Sequence, residues 1–339
     1  MPEPVRICVL GAGVIGLHAA RRLQADLPAA QVTIVAAGQG ESTTSIGAAG
    51  IFRPGVFRAP TPRLTDEIMD ESWRYYKALL ASEQAAAAGL CEVSGYLLTR
   101  RGPEAIHNPH LERLCPDYRA ANGRELAICP GGWKNGFFCT TLVTDDTYHL
   151  GWLTQCFKEA GGTIVEREVE NLRDIKGFDI IVNCTGIGAR KLTGDSRLVP
   201  LRGQVFKVKA PWIKMFFMTD DDTYVVPGVD RVTLGGTRQF GVYSTAVDEH
   251  DSASIWDRCT RLIPSLKRAE VIQEWVGLRP HRDPVRMEKE RLDTGVMVVH
   301  CYGHGGYGVM TAPGSAGQVS RMVTEILRGD FSNPLVSSL

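Results

Sequence analysis

Residues 5–16, VRICVLGAGVIG, constrain this chain more than any other stretch. An apolar run containing Ile7, Val9 and Leu10 leads directly into Gly11-Ala12-Gly13-Val14-Ile15-Gly16, and helix-forming residues follow from His18 to Leu27. Strand, tight turn and helix in that order, with glycines spaced G-x-G-x-x-G, describe a dinucleotide-binding turn. The spacing has a steric basis. Gly11 permits the turn, Gly13 lets a pyrophosphate approach the backbone, and Gly16 lets the helix pack closely on the strand. The helix N-terminus then presents free N–H groups and the positive end of its dipole to the phosphates. Residues 31–36 (QVTIVA) form a second β-branched strand and complete a βαβ unit. The acid that usually ends such a strand and binds the ribose hydroxyls is missing, because the chain reads Ala36-Ala37-Gly38 and its nearest acid is Glu41.

The chain has 339 residues, which suits one large domain or two interleaved ones. Its 38 basic and 38 acidic side chains cancel, and no Lys/Arg cluster is present, so neither nucleic acid nor an anionic membrane is an expected partner. The nine cysteines are odd in number and never spaced C-x-x-C, as expected of reduced thiols in an intracellular compartment. Met1-Pro2-Glu3-Pro4 lacks the features of a secretory signal, and no apolar run reaches the length of a membrane span. A soluble protein, cytosolic or imported folded into an organelle, is expected.

Further along, residues 41–55 (ESTTSIGAAGIFRPG) are small, hydroxylated and glycine-rich, a loop able to lie against a ligand. In residues 63–82, Met69, Trp73, Tyr76 and Leu80 share a helical face and are expected in the core. Residues 92–99 read as a strand, and residues 102–136 as connecting structure with a short helix near Leu111. A helix over 148–160 has Asp146 or Thr147 as its cap. Residues 163–169 and 179–184 are expected as buried strands, the second ending in a ligand-facing turn. Residues 204–209, 223–226 and 231–234 alternate as in an antiparallel meander; a helix over 251–262 and strands over 271–278 and 296–300 follow. CYGHGGYG at 301–308 is a second glycine-rich turn opening a helix, whose Val319, Val323 and Ile326 share a face. The fold class is α/β: a Rossmann-like nucleotide-binding domain (1–50, 145–200 and 277–330) interleaved with a domain on a mixed, largely antiparallel sheet (51–144 and 201–276), and a tail over 331–339. No phosphate loop, H-E-x-x-H or G-x-S-x-G motif occurs. His300, Cys301 and His304 are metal-ligating types, but three glycines crowd them and no fourth ligand lies near, so no metal is expected.

GAGVIG (11–16), TTSIGAAG (43–50), NCTG (183–186), RGQ (202–204), YVVPG (224–228), VTLGGTRQ (232–239), GLRP (277–280) and YGHGGYG (302–308) together resemble the FAD-dependent D-amino-acid oxidases, in the same order over almost the whole chain. The resemblance implies FAD as cofactor. It would be held by Gly11, Ala12, Gly13, Val14, Ile15 and Gly16, and by Thr43, Thr44, Ser45, Ala49 and Gly50. Val169, Cys184, Thr185, Gly186, Gly277 and Arg279 would add to this cradle, as would His304, Gly305, Gly306, Tyr307, Gly308, Val309 and Thr311. Met310-Thr311 stands where a Thr commonly comes first.

The implied reaction passes a hydride from the substrate Cα to flavin N5, hydrolyses the imine to a 2-oxo acid and ammonia, and reduces O2 to H2O2. Such chemistry needs orientation more than a general base. By resemblance, Arg279 grips the α-carboxylate, for which a planar guanidinium is well shaped. The Tyr224 hydroxyl reaches the same carboxylate, a Gly306 carbonyl receives the amine, and Tyr302 and His304 support the site from behind. Arg238, in GGTRQ, matches the members that take acidic substrates and would pair with a side-chain carboxylate. The expected substrates are D-aspartate, D-glutamate and N-methyl-D-aspartate, with neutral D-amino acids as the alternative. A further basic residue of those members appears here as Phe217 or Met218, for which Arg53 would compensate. Ser337-Ser338-Leu339 resembles a peroxisomal signal with its basic residue replaced, so a peroxisomal import receptor is an expected partner, with the cytosol as the other location. A homo-oligomer is left open.

Overall fold

The opening glycine stretch folds as strand β1 (Arg6–Ala12) and helix α1 (Val14–Asp26) in a computed structural model that describes residues 3–332. Ser337-Ser338-Leu339 lies outside the described residues. The helix begins at Val14, ahead of the expected His18, because Gly13 itself takes the extended cap conformation (φ −76°, ψ 178°). The chain continues through β2 (Gln31–Gln39), α2 (Pro62–Leu80), β3 (Leu90–Thr99), α3 (Pro109–Leu114), β4 (Arg119–Ala120), α4 (Gly123–Ile128) and β5 (Asn135–Thr144). Next come α5 (Asp146–Glu159), β6 (Thr163–Glu166), β7 (Ile180–Asn183), α6 (Ala189–Thr193), β8 (Val199–Lys209), β9 (Phe216–Thr219), β10 (Tyr224–Pro227) and β11 (Val232–Gly235). Finally β12 (Gln239–Phe240) and α7 (Glu249–Leu262) precede β13 (Glu270–Arg291), β14 (Met297–His304) and α8 (Gly308–Leu327).

The strands join in one mixed sheet ordered β4-β5-β3-β9-β10-β11-β8-β13-β14-β7-β1-β2-β6, with β12 attached to β8. From β14 to β6 every pairing is parallel. On the other side the pairings are antiparallel except β3 with β9. Strand β13 is the joint, antiparallel both to β8 and to β14. The α/β class follows directly from the βαβ unit at the head of the chain, whose crossover helix must cover a parallel sheet.

Several boundaries differ from the sequence expectation. β5 falls almost wholly in the segment between the connecting stretch and the helix over 148–160, which sequence pattern left unassigned because both faces of the strand are covered toward its C-terminal end, removing the alternation that marks a half-exposed strand. The cap of α5 is Asp145, whose carboxylate accepts from Thr147 N at 3.1 Å; Asp146 is the first helical residue and is buried. β6 ends at Glu166, leaving Val169 in the extended segment beyond it. β13 runs past Leu278 to Arg291 because the punctuating Pro284 falls where its register with β14 shifts, between His281 and Arg286.

The largest core lies between the parallel strands and helices α1, α2, α5 and α8. Met69 and Tyr76 are fully buried in it, while Trp73 and Leu80 pack at its edge. Tyr76 also repairs a helix. Pro313 inside α8 has no N–H to offer the Val309 carbonyl one turn back, and the Tyr76 hydroxyl donates to that carbonyl at 2.6 Å. Ser72 Oγ accepts from Gly314 N at 2.9 Å alongside. Helix α2 thus holds the first turn of α8 in place, and that turn borders the cavity described next.

Candidate active site

A cavity of about 670 Å³ opens at the C-terminal ends of the parallel strands and extends across β8, β10 and β13. At one end its wall is backbone. Gly11 has φ +101°, and a Cβ there would stand 2.5 Å from the Cys184 carbonyl oxygen. Around Gly13 the nearest atom to a Cβ would be Ser45 Oγ, at 3.4 Å. No side chain caps α1 at Gly13 and no acid lies in its first turn, while Val14 N donates to Ser45 Oγ at 3.1 Å. Ala12, Val14 and Ile15 line the same wall. A cradle of backbone that any side chain would fill, at an uncapped helix N-terminus, fits a dinucleotide's phosphates.

Thr43, Thr44, Ser45, Ala49 and Gly50 line the adjacent wall. Their loop is fastened from three sides: Thr44 Oγ1 donates to Leu278 O at 3.3 Å, Lys207 Nζ to Ala48 O at 2.9 Å, and Thr144 N to Gly50 O at 3.0 Å. Burial pushes the Lys207 ammonium down to about 8. Val169, Cys184, Thr185 and Gly186 line the cavity too, the turn after β7 being held by Asn183 Oδ1, which accepts from Thr185 Oγ1 at 2.7 Å. His304, Gly305, Gly306, Tyr307, Gly308 and Val309 bring in the uncapped N-terminus of α8. His304 Nε2 lies 3.1 Å from Ser315 Oγ, and the Tyr302 hydroxyl takes a bond from Arg286 Nη1 at 2.9 Å and donates to Asp195 at 3.0 Å.

Three of the expected cofactor residues do not line this space. Gly16 lies behind it, where a Cβ would collide with the Gly11 carbonyl, so its place is helix-strand packing. Gly277 is covered by the Trp275 ring, which itself faces the cavity. Thr311 is buried and spends its hydroxyl on Tyr307 O at 2.8 Å within its own helix, while Met310 reaches the wall. Glu41 is exposed and off the wall, which at that point is Ala37, Gly38 and Ser42.

At the opposite end the site is built from side chains. Arg279 on β13 pairs with Leu201 of β8, and its guanidinium lies across Gly203, where any side chain would occupy the same space. Nη1 donates to Thr237 O at 3.0 Å. The Tyr224 ring lies across Gly235 and Gly236 in the same way; a Cβ on Gly236 would sit 2.7 Å from the phenol oxygen. Burial pushes the Tyr224 phenol up while the neighbouring Arg279 pulls the other way, and it stays a protonated donor. Gly306 packs on the stem of Arg279, where a Cβ would be 3.3 Å from Cδ. The glycines of RGQ and GGTRQ therefore make room for one guanidinium and one phenol. Arg202 of RGQ points away from the cavity. It donates to Gln239 Oε1 at 2.6 Å, Asp251 Oδ2 at 2.7 Å and Gln204 Oε1 at 2.9 Å, fastening the segment that follows Arg238.

Arg53 and Arg238 both reach this end. The Arg53 Nε is buried without a hydrogen-bond partner, and burial draws its guanidinium below the usual arginine range, with Arg238 adding to this and Tyr307 opposing it. Arg238 is about half exposed and pairs with Asp222 at 2.9 Å. Met218 lines the cavity, whereas Phe217 stacks on Tyr96 outside it. Asp222, Thr237 and Trp275 are wall residues that pattern reading passed over. The run Asp220-Asp221-Asp222 just before Tyr224 was the available signal for the first of them.

The family model for FAD dependent oxidoreductases matches residues 6–322. The chain is 37% identical over 329 residues to D-aspartate oxidase from Homo sapiens, covering 95% of this chain and 96% of that protein. It is 31% identical over 333 residues to D-amino acid oxidase from Dugesia ryukyuensis, covering 95% and 98%. Glycine oxidase from Bacillus cereus, a solved structure, superposes with a TM-score of 0.80 at 20% identity, covering 99% of this chain and 98% of that one.

Proposed function

The chain belongs to the FAD-dependent oxidoreductase family, and from that premise we propose that it oxidatively deaminates acidic D-amino acids: D-aspartate, and with it D-glutamate and N-methyl-D-aspartate. The observation that carries the acidic preference is Arg53, which lines the same cavity as Arg279 and Arg238 and pairs with no carboxylate among the described residues. A carboxylate on the substrate side chain would supply the charged partner that this guanidinium lacks. The competing preference, for neutral D-amino acids, draws on the Asp222–Arg238 pair, which already occupies one of these cations.

FAD, held along the backbone walls at Gly11, Gly13, Thr44, Gly186 and Gly306, supplies when bound the hydride acceptor for the substrate Cα–H and the route of electrons to O2. The protein's part is orientation. Arg279, fixed by Thr237 O and by the floor at Gly203, offers its remaining N–H donors to the α-carboxylate as a planar fork. Tyr224 adds a hydroxyl donor to the same group, and the Gly306 backbone faces the amine. A Cα held between these anchors presents one face only, which is the basis for selecting the D enantiomer. We assign the parallel half of the sheet, with α1, α5 and α8, to the cofactor, and the antiparallel half to the substrate. Ser337-Ser338-Leu339 would direct the protein to the peroxisome, which a fluorescent fusion with and without the triplet reads out.

Peroxide release with both enantiomers of Asp, Glu, Ala and Asn tests the proposal. D-Asp is expected to be fastest and the L forms inactive. Faster turnover of D-Ala than D-Asp would overturn the acidic preference.

A further inference from the structure

The turn between β9 and β10 contains Asp222, the one non-glycine with positive φ (63°) among the described residues. A β-carbon disfavours that backbone, so it persists only where the surroundings impose it. Here they do. Gly236 N donates to Asp222 O at 2.8 Å, and Arg258 on α7 ties the turn down by donating to Asp221 O at 3.0 Å, Thr223 Oγ1 at 3.0 Å and Gly236 O at 2.9 Å. The outcome is that Asp222 faces the cavity with Oδ1 2.9 Å from Arg238 Nη2. Two cations at one end of the cavity are thus in different states: Arg238 paired with a protein carboxylate, Arg53 with its buried Nε unpaired.

We propose that Asp222 is a specificity-determining residue that competes with the substrate's side-chain carboxylate for Arg238, leaving Arg53 as the principal seat of that carboxylate. The inference rests on D-amino-acid oxidation at this cavity. A half-exposed ion pair is weak and displaceable. Its carboxylate nevertheless repels an incoming one while it holds the arginine. Arg53 lines the cavity with no carboxylate partner among the described residues, so it gains more from an arriving anion than Arg238 does. Selectivity is a difference of affinities, and Asp222 lowers the hold on dicarboxylates without touching Arg279, which serves the α-carboxylate common to all substrates.

The test uses the flavin-loaded protein with Asp222→Asn, and Asp222→Gly as a second variant; both residues tolerate a left-handed backbone. Succinate, a dicarboxylate with no amine to oxidise, is titrated against the flavin absorbance, and kcat/KM is compared for D-Asp and D-Ala. Both variants are expected to bind succinate about three- to tenfold more tightly and to raise the D-Asp to D-Ala ratio by a similar factor. Arg238→Met should weaken succinate more in the Asp222→Asn background than in the native chain, because only there is Arg238 released. Unchanged or weaker succinate binding in both variants, with the flavin spectrum intact, would overturn the proposal. A native chain that turns over no D-amino acid overturns the function proposed above, whereas the succinate titration still decides the role of Asp222.

Discussion

Gly203→Ala is a perturbation whose effect should fall on catalysis and spare the fold. Gly203 sits in the middle of β8 opposite Gly277, with an ordinary strand backbone, so alanine costs the strand little. Its new methyl would enter the space of the Arg279 guanidinium. That group is the far end of a flexible side chain and yields by moving, by about 1 Å to restore ordinary contact. The displacement breaks the Nη1 bond to Thr237 O, now 3.0 Å, and turns the fork away from the α-carboxylate. A misplacement of about 1 Å in a positioning group costs on the order of 10²-fold, or roughly 2.7 kcal/mol of barrier. Steady-state peroxide assays on D-Asp and D-Ala should therefore both lose about 10²-fold in kcat/KM, with flavin content and thermal midpoint close to native. Equal loss of flavin, stability and activity would refute this, as would native kinetics.

Other perturbations separate the two ends of the cavity. Arg53→Met should lower kcat/KM for D-Asp by about 10- to 100-fold and D-Ala by much less, since only the dicarboxylate loses a partner; equal losses would contradict that. Gly11→Ala, strained at φ +101° and meeting the Cys184 carbonyl, should yield protein with little or no flavin, read from its visible absorbance after gel filtration. Stability should also depend on pH through the buried pair His18–His149, whose Nε2 atoms lie 3.1 Å apart. Burial pulls His149 down to about 4 from its ordinary 6.5. The unfolded chain therefore binds a proton that the folded one refuses, and the neutral ring's contribution, full above pH 6.5, is lost as pH falls toward about 4. The expected loss is on the order of 2–3 kcal/mol, and His149→Gln should lessen the pH dependence of the thermal midpoint over that window, burial of His18 keeping the remainder.

Much of this was legible in the sequence wherever chemistry depends on backbone. Gly11 and Gly13 announce the cofactor cradle because missing side chains at a strand-to-helix turn have few other uses. Arg279 and Tyr224 were singled out through their motifs and both line the cavity, yet the motifs hid their own reason. Gly203, Gly235 and Gly236 are conformational vacancies for a guanidinium and a phenol that lie elsewhere in the chain. Gly277, counted as a cofactor residue, serves the Trp275 ring instead, because a glycine does not record which neighbour needs its space. Asp222 escaped notice since a run of three aspartates reads as a solvated turn; the ties from Gly236 N and Arg258 direct it inward. β5 escaped because a strand covered on both faces loses its alternation.

The central claim, oxidation of an acidic D-amino acid, is tested most directly by mixing the purified yellow protein anaerobically with D-aspartate, L-aspartate or D-alanine and following the flavin's visible absorbance. D-aspartate should bleach it faster than D-alanine, and L-aspartate should leave it unchanged. Bleaching by L-aspartate, or none by either D-amino acid, would contradict the account.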